Sequence, residues 1–555
     1  MQHRLFNELS AMFGREVPLY DKSLLVNRVC NQCIAALLSQ LHRGFSLSDG
    51  QLDKTSGERH GAIRIGTREE YRWVAGYFAA FQLEPHNFYD MTSLGGKSQP
   101  IIATAFRSPL NPEHRVFCSL LMIDSFDAQT RQRVEKLLAQ RQVISDRARE
   151  LIEKNESGGG LNEADAEELI REGTNRIFKW TGHAHDYKLY NELSDAGFKI
   201  AADIACFESH HLNHLTPNTF CMDLYTSAMK FCLGELDPQT FKARAVQALN
   251  WLRRTADRDY MKLHFRHLCS EDIESFNPVE VSEAEAQAIA EKLLARLSES
   301  DLDVSKLKHA GFKDFTEGPD VNTPILLRQD SYRALTEAVT FHEPDGSTVE
   351  AVHTARFGEI EQRFYATTPA GRELYDQCLA EAETERAKDP SLVKRDYSAY
   401  LAAYARAFAP FSETLPELLE RKLVFGRYSV TPKGLQNAGT ISSTDITELG
   451  RLEFVRYEGL RYEDFLPFSA AGIFASNLGQ YGTDTHNAEK PVYTTHLLEE
   501  IMGRKIIDPN VTYHGLQSES LLEVYTELGL IDKLSPGARA KLDDAVAAFK
   551  LVVQP

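Results

Sequence analysis

Apolar residues recur three and four apart through "SLLVNRVCNQCIAALLSQL", so residues 1–45 read as helices. The strand-like "HGAIRIG" follows. Next comes "TREEYRWVAGYFAAFQL", which opens at Thr67 with Glu69 and Glu70 in its first turn, the signature of a helix start. "QPIIATAFR" and "HRVFCSLLMI" are rich in β-branched and apolar residues and read as strands. Strand, helix, strand, strand in this order predicts a small α+β module.

Residues 127–175 are charged and helical, with "NESGGGLNEAD" as a linker. Its three glycines lack the Gly-Lys-Ser/Thr of a phosphate loop. "LGGKS" at 94–98 has Gly-Lys-Ser, but Met91 stands where that loop needs its first glycine. "YKLYNELSDAGFKIAADIACFESHHLNHLTP" reads as a helix, a strand and a histidine-rich turn. The expected organisation is a first part of a catalytic α+β core over 1–220, an inserted mainly helical segment over 221–305, a second part of the core over 306–494, and a mainly helical tail over 495–555. No internal repeat is visible.

Composition narrows the functions on offer. The net charge of −18 and pI near 5.5 argue against a nucleic-acid or anionic-membrane surface, which needs clustered Lys and Arg. No apolar run approaches the roughly 18 residues that span a bilayer. The N-terminal stretch has no signal-type apolar region and carries Glu8 and Glu16, so a cytoplasmic location is expected. Cys30 and Cys33 lie in a helical pattern with no second pair, which predicts two buried, reduced helix cysteines rather than a redox or zinc pair.

Three places concentrate metal-type residues: His60; His210, His211 and His214 in "ESHHLNHLTP"; and Glu359 and Glu361, which share a face if "GEIEQR" is a strand. Two histidines and one carboxylate from separate strands form a triad with open coordination positions that favours non-haem iron(II). Each signal alone is weak. A lone strand histidine is more often structural, three clustered histidines are as often a solvated loop, and paired glutamates usually mark an exposed strand. There is no His-Glu-x-x-His, no Gly-x-Ser-x-Gly elbow and no dinucleotide fingerprint. On residues alone, a zinc hydrolase using the same histidines and a non-catalytic small-acid-binding protein stay open.

Four stretches in order resemble the 2-oxoadipate dioxygenase/decarboxylase family (2-hydroxyglutarate synthases), related to the vicinal oxygen chelate enzymes. They are "RHGAIRIGT" (59–67), "FESHHLNHLTP" (207–217), "FGEIEQR" with "TPAGRELYD" (357–376), and "EDFLPFSAAGIFASNLG" (463–479). The resemblance implies an α+β fold with a vicinal-oxygen-chelate-like central β-sheet enclosing a metal site, surrounded by helices. It implies Fe(II) held by His60, His214 and one glutamate. Glu359 is the first choice because Glu359, Gln362 and Arg363 reproduce the Glu-x-x-Gln-Arg run of 4-hydroxyphenylpyruvate dioxygenases, with Glu361 second. It further implies that the substrate meets His60, that Arg64 acts in catalysis by binding a substrate carboxylate, and that backbone around Phe468 and Ser469 lines the pocket. The implied reaction converts 2-oxoadipate and O2 to 2-hydroxyglutarate and CO2, a step of lysine degradation. Two departures stand out: a long 221–305 segment, and Phe468 where a smaller apolar residue is expected.

The residues agree with that assignment. On a strand, positions 60 and 64 face the same way about 13 Å apart. A histidine could then take one end of a keto-diacid through the metal while an arginine takes the far carboxylate.

Overall fold

The structure is a computed structural model that describes residues 1–553 apart from 93–97, 314–315, 317, 357 and 467–491. Helices α1 (Gln2–Glu16) and α2 (Pro18–Leu41) precede strand β1 (Arg59–Ile65). Helix α3 (Arg68–Ala79) follows, and its Thr67–Glu70 capping box satisfies the first-turn N–H groups as the sequence predicts. Strands β2 (Glu84–Asp90), β3 (Ile101–Arg107) and β4 (His114–Leu121) complete a strand–helix–three-strand module. The fold class expected from sequence is the one observed: a mixed β-sheet core wrapped by helices.

After a short strand β5 (His183–His185), helices α4 (Tyr187–Asp195) and α5 (Lys199–Cys206) lead into β6 (His214–Pro217). The expected strand over "FKIAADIAC" is therefore a helix. Ala201, Ala202 and Ala205 favour helix, and every residue from Ile200 to Cys206 is buried. A run buried all round carries no period that separates a helix from a strand.

The main sheet runs β2-β3-β4-β1-β6. β1 pairs with β4 in parallel and with β6 antiparallel. Alternation along β1 sends Ile63 and Ile65 into the larger apolar cluster with α2, α3 and helices α6 (Met222–Cys232), α7 (Pro238–Thr255) and α8 (Glu283–Leu297). His60, Ala62 and Arg64 take the opposite face, where Ala62 packs with Phe117 and with Leu189, Ile200 and Ile204 of α4 and α5.

Downstream, β7 (Leu327–Ser331) precedes a hairpin of β8 (Thr336–His342) and β9 (Thr348–Thr354), then β10 (Glu359–Arg363). β10 pairs antiparallel with β7, placing Glu359 opposite Ser331 and Glu361 opposite Gln329. A parallel bridge between Asn218 and Glu361, with Thr219 N–H donating to the Glu361 carbonyl at 2.8 Å, docks β10 beside the end of β6. Gln362 clamps the junction, donating to the Phe220 carbonyl at 2.7 Å and accepting from Met222 N–H at 3.0 Å. Three chain segments far apart in sequence thus become neighbouring strands. Helices α9 (Pro369–Lys388), α10 (Pro509–Glu527) and α11 (Pro536–Val553) lie further along. Among the described residues no helix is long and apolar enough to cross a membrane. All eight cysteines are free, Cys30 buried and Cys33 half-buried.

Candidate metal centre

His60 and Thr216 are register partners, as are Ala62 and His214, so the two histidines lie diagonally across β1 and β6. Their rings meet edge to face with centroids 5.4 Å apart. Glu359 enters from β10. Its Oε2 lies 3.3 Å from His60 Nε2 and 3.6 Å from His214 Nε2, and accepts from Thr216 Oγ1 at 3.2 Å. One ligand atom from each of His60, His214 and Glu359 falls within a 4.8 Å set, and all three residues are buried. Glu359 Oε1 is buried without a hydrogen-bond partner among the described residues. A buried carboxylate oxygen left unmatched beside two imidazoles is costly unless a cation joins them, so the donor set fits a metal ion.

Glu361 is two residues on and faces the same way, yet it is occupied differently. Arg363 grips it through Nε–Oε1 at 2.6 Å and Nη2–Oε2 at 3.0 Å, and Arg115 Nη1 reaches Oε1 at 3.2 Å. Its Oε2 lies 2.8 Å from His60 Nδ1. Burial pushes its carboxyl up, but Arg363, His60 and Arg115 hold it well below the usual range. Glu361 therefore has the geometry of a group that orients His60 from the ring's far side. Glu359, with no arginine in contact, has that of a ligand.

Electrostatics separate the two histidines. Burial would lower the His60 pKa, but Glu361 and Glu359 raise it on balance. Burial outweighs Glu359 at His214 and takes it down to about 4, leaving a neutral imidazole near pH 7. At Glu359 itself burial acts upward, but His214 and His60 bring the carboxyl below its ordinary value.

The structure brings His60, His214 and Glu359 together and puts Arg64 on the same sheet face. The clustered histidines diverge: His214 joins Glu359, His211 faces Asp203, and His210 lies near Glu70 and Arg141. Arg64 Nη1 is 2.5 Å from Asp203 Oδ2. Arg107 and Arg363 are engaged too, Arg107 by Asp464 at 3.1 Å and Arg363 by Glu361. Phe468 and Ser469 lie outside the described residues.

Sequence reasoning passed over Thr216, Arg115, Asp203 and Phe465, whose ring packs edge-on to His60 at 5.0 Å. It also passed over Gly358. A Cβ there would sit 2.1 Å from Tyr332 Cε2, so only glycine lets that ring lie against the strand just before Glu359. Asp203 had a visible signal, because a single acid in the apolar run "KIAADIAC" requires a buried partner.

A family model described as 2-oxoadipate dioxygenase/decarboxylase matches residues 5–232 and 221–477 of the chain. The chain is 32% identical over 531 residues to the 2-oxoadipate dioxygenase/decarboxylase of Pseudomonas putida, covering 92% of this chain and 93% of that protein. It is 31% identical over 523 residues to the protein of the same description from Escherichia coli K12, covering 92% and 95%. The crystal structure of hydroxyglutarate synthase from Pseudomonas putida in complex with 2-oxoadipate superposes with a TM-score of 0.66 at 29% identity, covering 95% of this chain and 98% of that one.

Proposed function

The chain belongs to the 2-oxoadipate dioxygenase/decarboxylase family, and on that footing we propose that it is an Fe(II)-dependent enzyme converting 2-oxoadipate and O2 to 2-hydroxyglutarate and CO2. The observation that carries the iron assignment is the convergence of two histidines and one carboxylate, all buried, from three neighbouring strands. Such a set leaves coordination positions open on one side and suits non-haem iron(II). Bound there, the metal would supply a Lewis-acidic anchor for the keto acid and a redox-active centre through which the substrate's own electrons reach O2.

The chain's own residues do the rest. His60, His214 and Glu359 hold the ion, and Glu361 keeps the His60 ring in place through Nδ1. Phe465 stacks edge-on against His60 and shields that side from water. Arg64, on the His60 face and partly exposed, takes the far carboxylate of the diacid. The balance needs no second keto acid. C1 leaves as CO2, one oxygen atom of O2 enters the new carboxylate and the other becomes the hydroxyl on the adjacent carbon. Holding the chain at both ends keeps that carbon beside the metal for the second oxidation.

The test is anaerobic loading with Fe(II), followed by O2 uptake and product analysis on adding 2-oxoadipate. One CO2 and one 2-hydroxyglutarate per O2 is expected. Tight zinc binding with no O2 uptake would mark a hydrolase-type site, and no metal binding at all would mark a binding protein.

A further inference from the structure

Arg64 is already half-occupied. Asp203 Oδ2 lies 2.5 Å from its Nη1, and the Arg64 side chain is 10% exposed against 1% for Asp203. The other Asp203 oxygen faces two imidazoles, His211 Nε2 and His353 Nε2, each 3.3 Å away. His353 stands on β9 and is hydrogen-bonded through Nδ1 to the Tyr190 hydroxyl of α4 at 2.8 Å. Phe207 closes on the His353 ring at 4.5 Å and Trp180 on the His211 ring at 4.7 Å. Elements α4, α5, β9 and the turn before β6 therefore converge on one buried carboxylate whose cation is Arg64.

Asp203, His211 and His353 also bring ligand atoms within 4.8 Å of one another, as the candidate metal centre does. Their charge balance differs. Glu359 has no arginine against it, whereas Asp203 is matched by Arg64, and a divalent ion would place two further positive charges beside a guanidinium in a dry interior. The cluster is therefore built around the arginine.

An arginine side chain has many rotamers, and binding a carboxylate costs the freedom it loses. A guanidinium fixed at Nη1 has lost that freedom beforehand and keeps its remaining N–H groups for a second carboxylate. We propose that Asp203, backed by His211 and His353, is the positioning device that sets selectivity for dicarboxylic substrates by holding Arg64 in its receiving orientation. The proposal rests on the reading of Arg64 given under Proposed function. It also accounts for a cation tolerated in an empty site, since Asp203 pairs it before substrate arrives.

The experiment compares kcat and KM for 2-oxoadipate and for 2-oxohexanoate, which has the same length without the second carboxylate. The iron-loaded proteins are wild type, Asp203→Asn, Arg64→Ala, the double variant and Tyr190→Phe. Asp203→Asn should lower the diacid-to-monoacid ratio of kcat/KM about tenfold, the order of a coupled pair. The loss should appear mainly in KM for the diacid, with iron content unchanged, and Asp203→Asn should change the ratio no further when Arg64 is already alanine. Tyr190→Phe loosens His353 without touching a charge and should shift the ratio the same way by less, which keeps the test valid if Asp203→Asn folds poorly. Equal losses on both acids, a further drop in ratio in the Arg64→Ala background, or loss of a second metal equivalent on changing Asp203 would each overturn the proposal. If Arg64→Ala left the ratio untouched, the reading of Arg64 would fall with it. If Arg64→Ala shifted the ratio and Asp203→Asn did not, the proposal alone would fail.

Discussion

Changing Glu361 to glutamine removes a negative charge from between Arg363, Arg115 and His60 without changing side-chain size. Arg115 keeps Glu58 and Glu463, both at 2.7 Å, so it is not orphaned. Among the described residues, Arg363 retains two backbone acceptors, the Tyr462 and Asp464 carbonyls at 3.1 and 2.8 Å. Breaking one side of a buried ion pair costs about 3–5 kcal/mol, and an amide oxygen that still accepts one bond puts Glu361→Gln at the low end, about 3 kcal/mol. Glu359 has no guanidinium partner, so Glu359→Gln in the metal-free protein should change stability by less than about 1 kcal/mol. Metal affinity should rank the other way. Loosening His60 through Glu361 should cost roughly 10–100-fold, and deleting a ligand should cost more. The assay pairs urea or thermal midpoints of chelator-stripped proteins with metal affinity from chelator competition. The reasoning is refuted if the two variants rank in the same order in both measurements. Glu361→Gln losing metal more completely than Glu359→Gln would move the ligand role to Glu361.

Metal binding near neutral pH should release protons from His60, whose pKa is raised, and none from His214, down at about 4; indicator titration showing no release, or more than one proton, would contradict this. Arg64→Ala should cut the preference for 2-oxoadipate over 2-oxohexanoate, and should also lower the melting temperature by leaving Asp203 buried without its cation, whereas Arg64→Lys should restore part of the preference. Gly358→Ala should weaken metal binding and destabilise by about 1–3 kcal/mol, because Tyr332 or β10 must move; unchanged metal affinity would show that Glu359 is insulated from that contact. Glu70 is held down to about 2, burial being outweighed chiefly by Arg141. Its folded pKa lies below its unfolded one, so the pair stabilises above about pH 4.5 and the contribution, about 3 kcal/mol, is lost as pH falls toward 2; Glu70→Gln should flatten that limb of the acid-denaturation curve.

Much of this architecture is legible where pattern and element agree. β1, α3, β3 and β4 announce themselves by period, capping and composition, and the structure keeps them. β2 does not. It carries Pro85, a positive φ of 62° at Asn87 and a register shift between His86 and Tyr89, features an edge strand tolerates and a periodic pattern hides. The helix α5 is illegible for the opposite reason, being buried on every side from Ile200 to Cys206. The site divides along the same line. His60 and Arg64 share a face because a strand dictates it, and that much follows from two-residue alternation.

Alternation cannot divide labour between Glu359 and Glu361, which it treats as equivalent. The division comes from Arg115 on β4 and Arg363, which claim Glu361 and leave Glu359 facing two imidazoles and the Thr216 hydroxyl. The same holds for Arg64. In an acidic chain, a basic residue on the same strand face as a metal-type histidine looks like a cation waiting for substrate. Folding supplies it with Asp203 from a helix about 140 residues away in the chain. That pairing changes the energetics expected of a monocarboxylate. Under the proposed role of Arg64, such a ligand would strand no bare guanidinium, and discrimination against it would come from the bonds a second carboxylate gains on the guanidinium's remaining N–H groups. On that proposal selectivity would be a matter of orientation more than of charge alone, with the orientation set by the tertiary contacts that bring Asp203 to Arg64, which no single stretch of sequence contains.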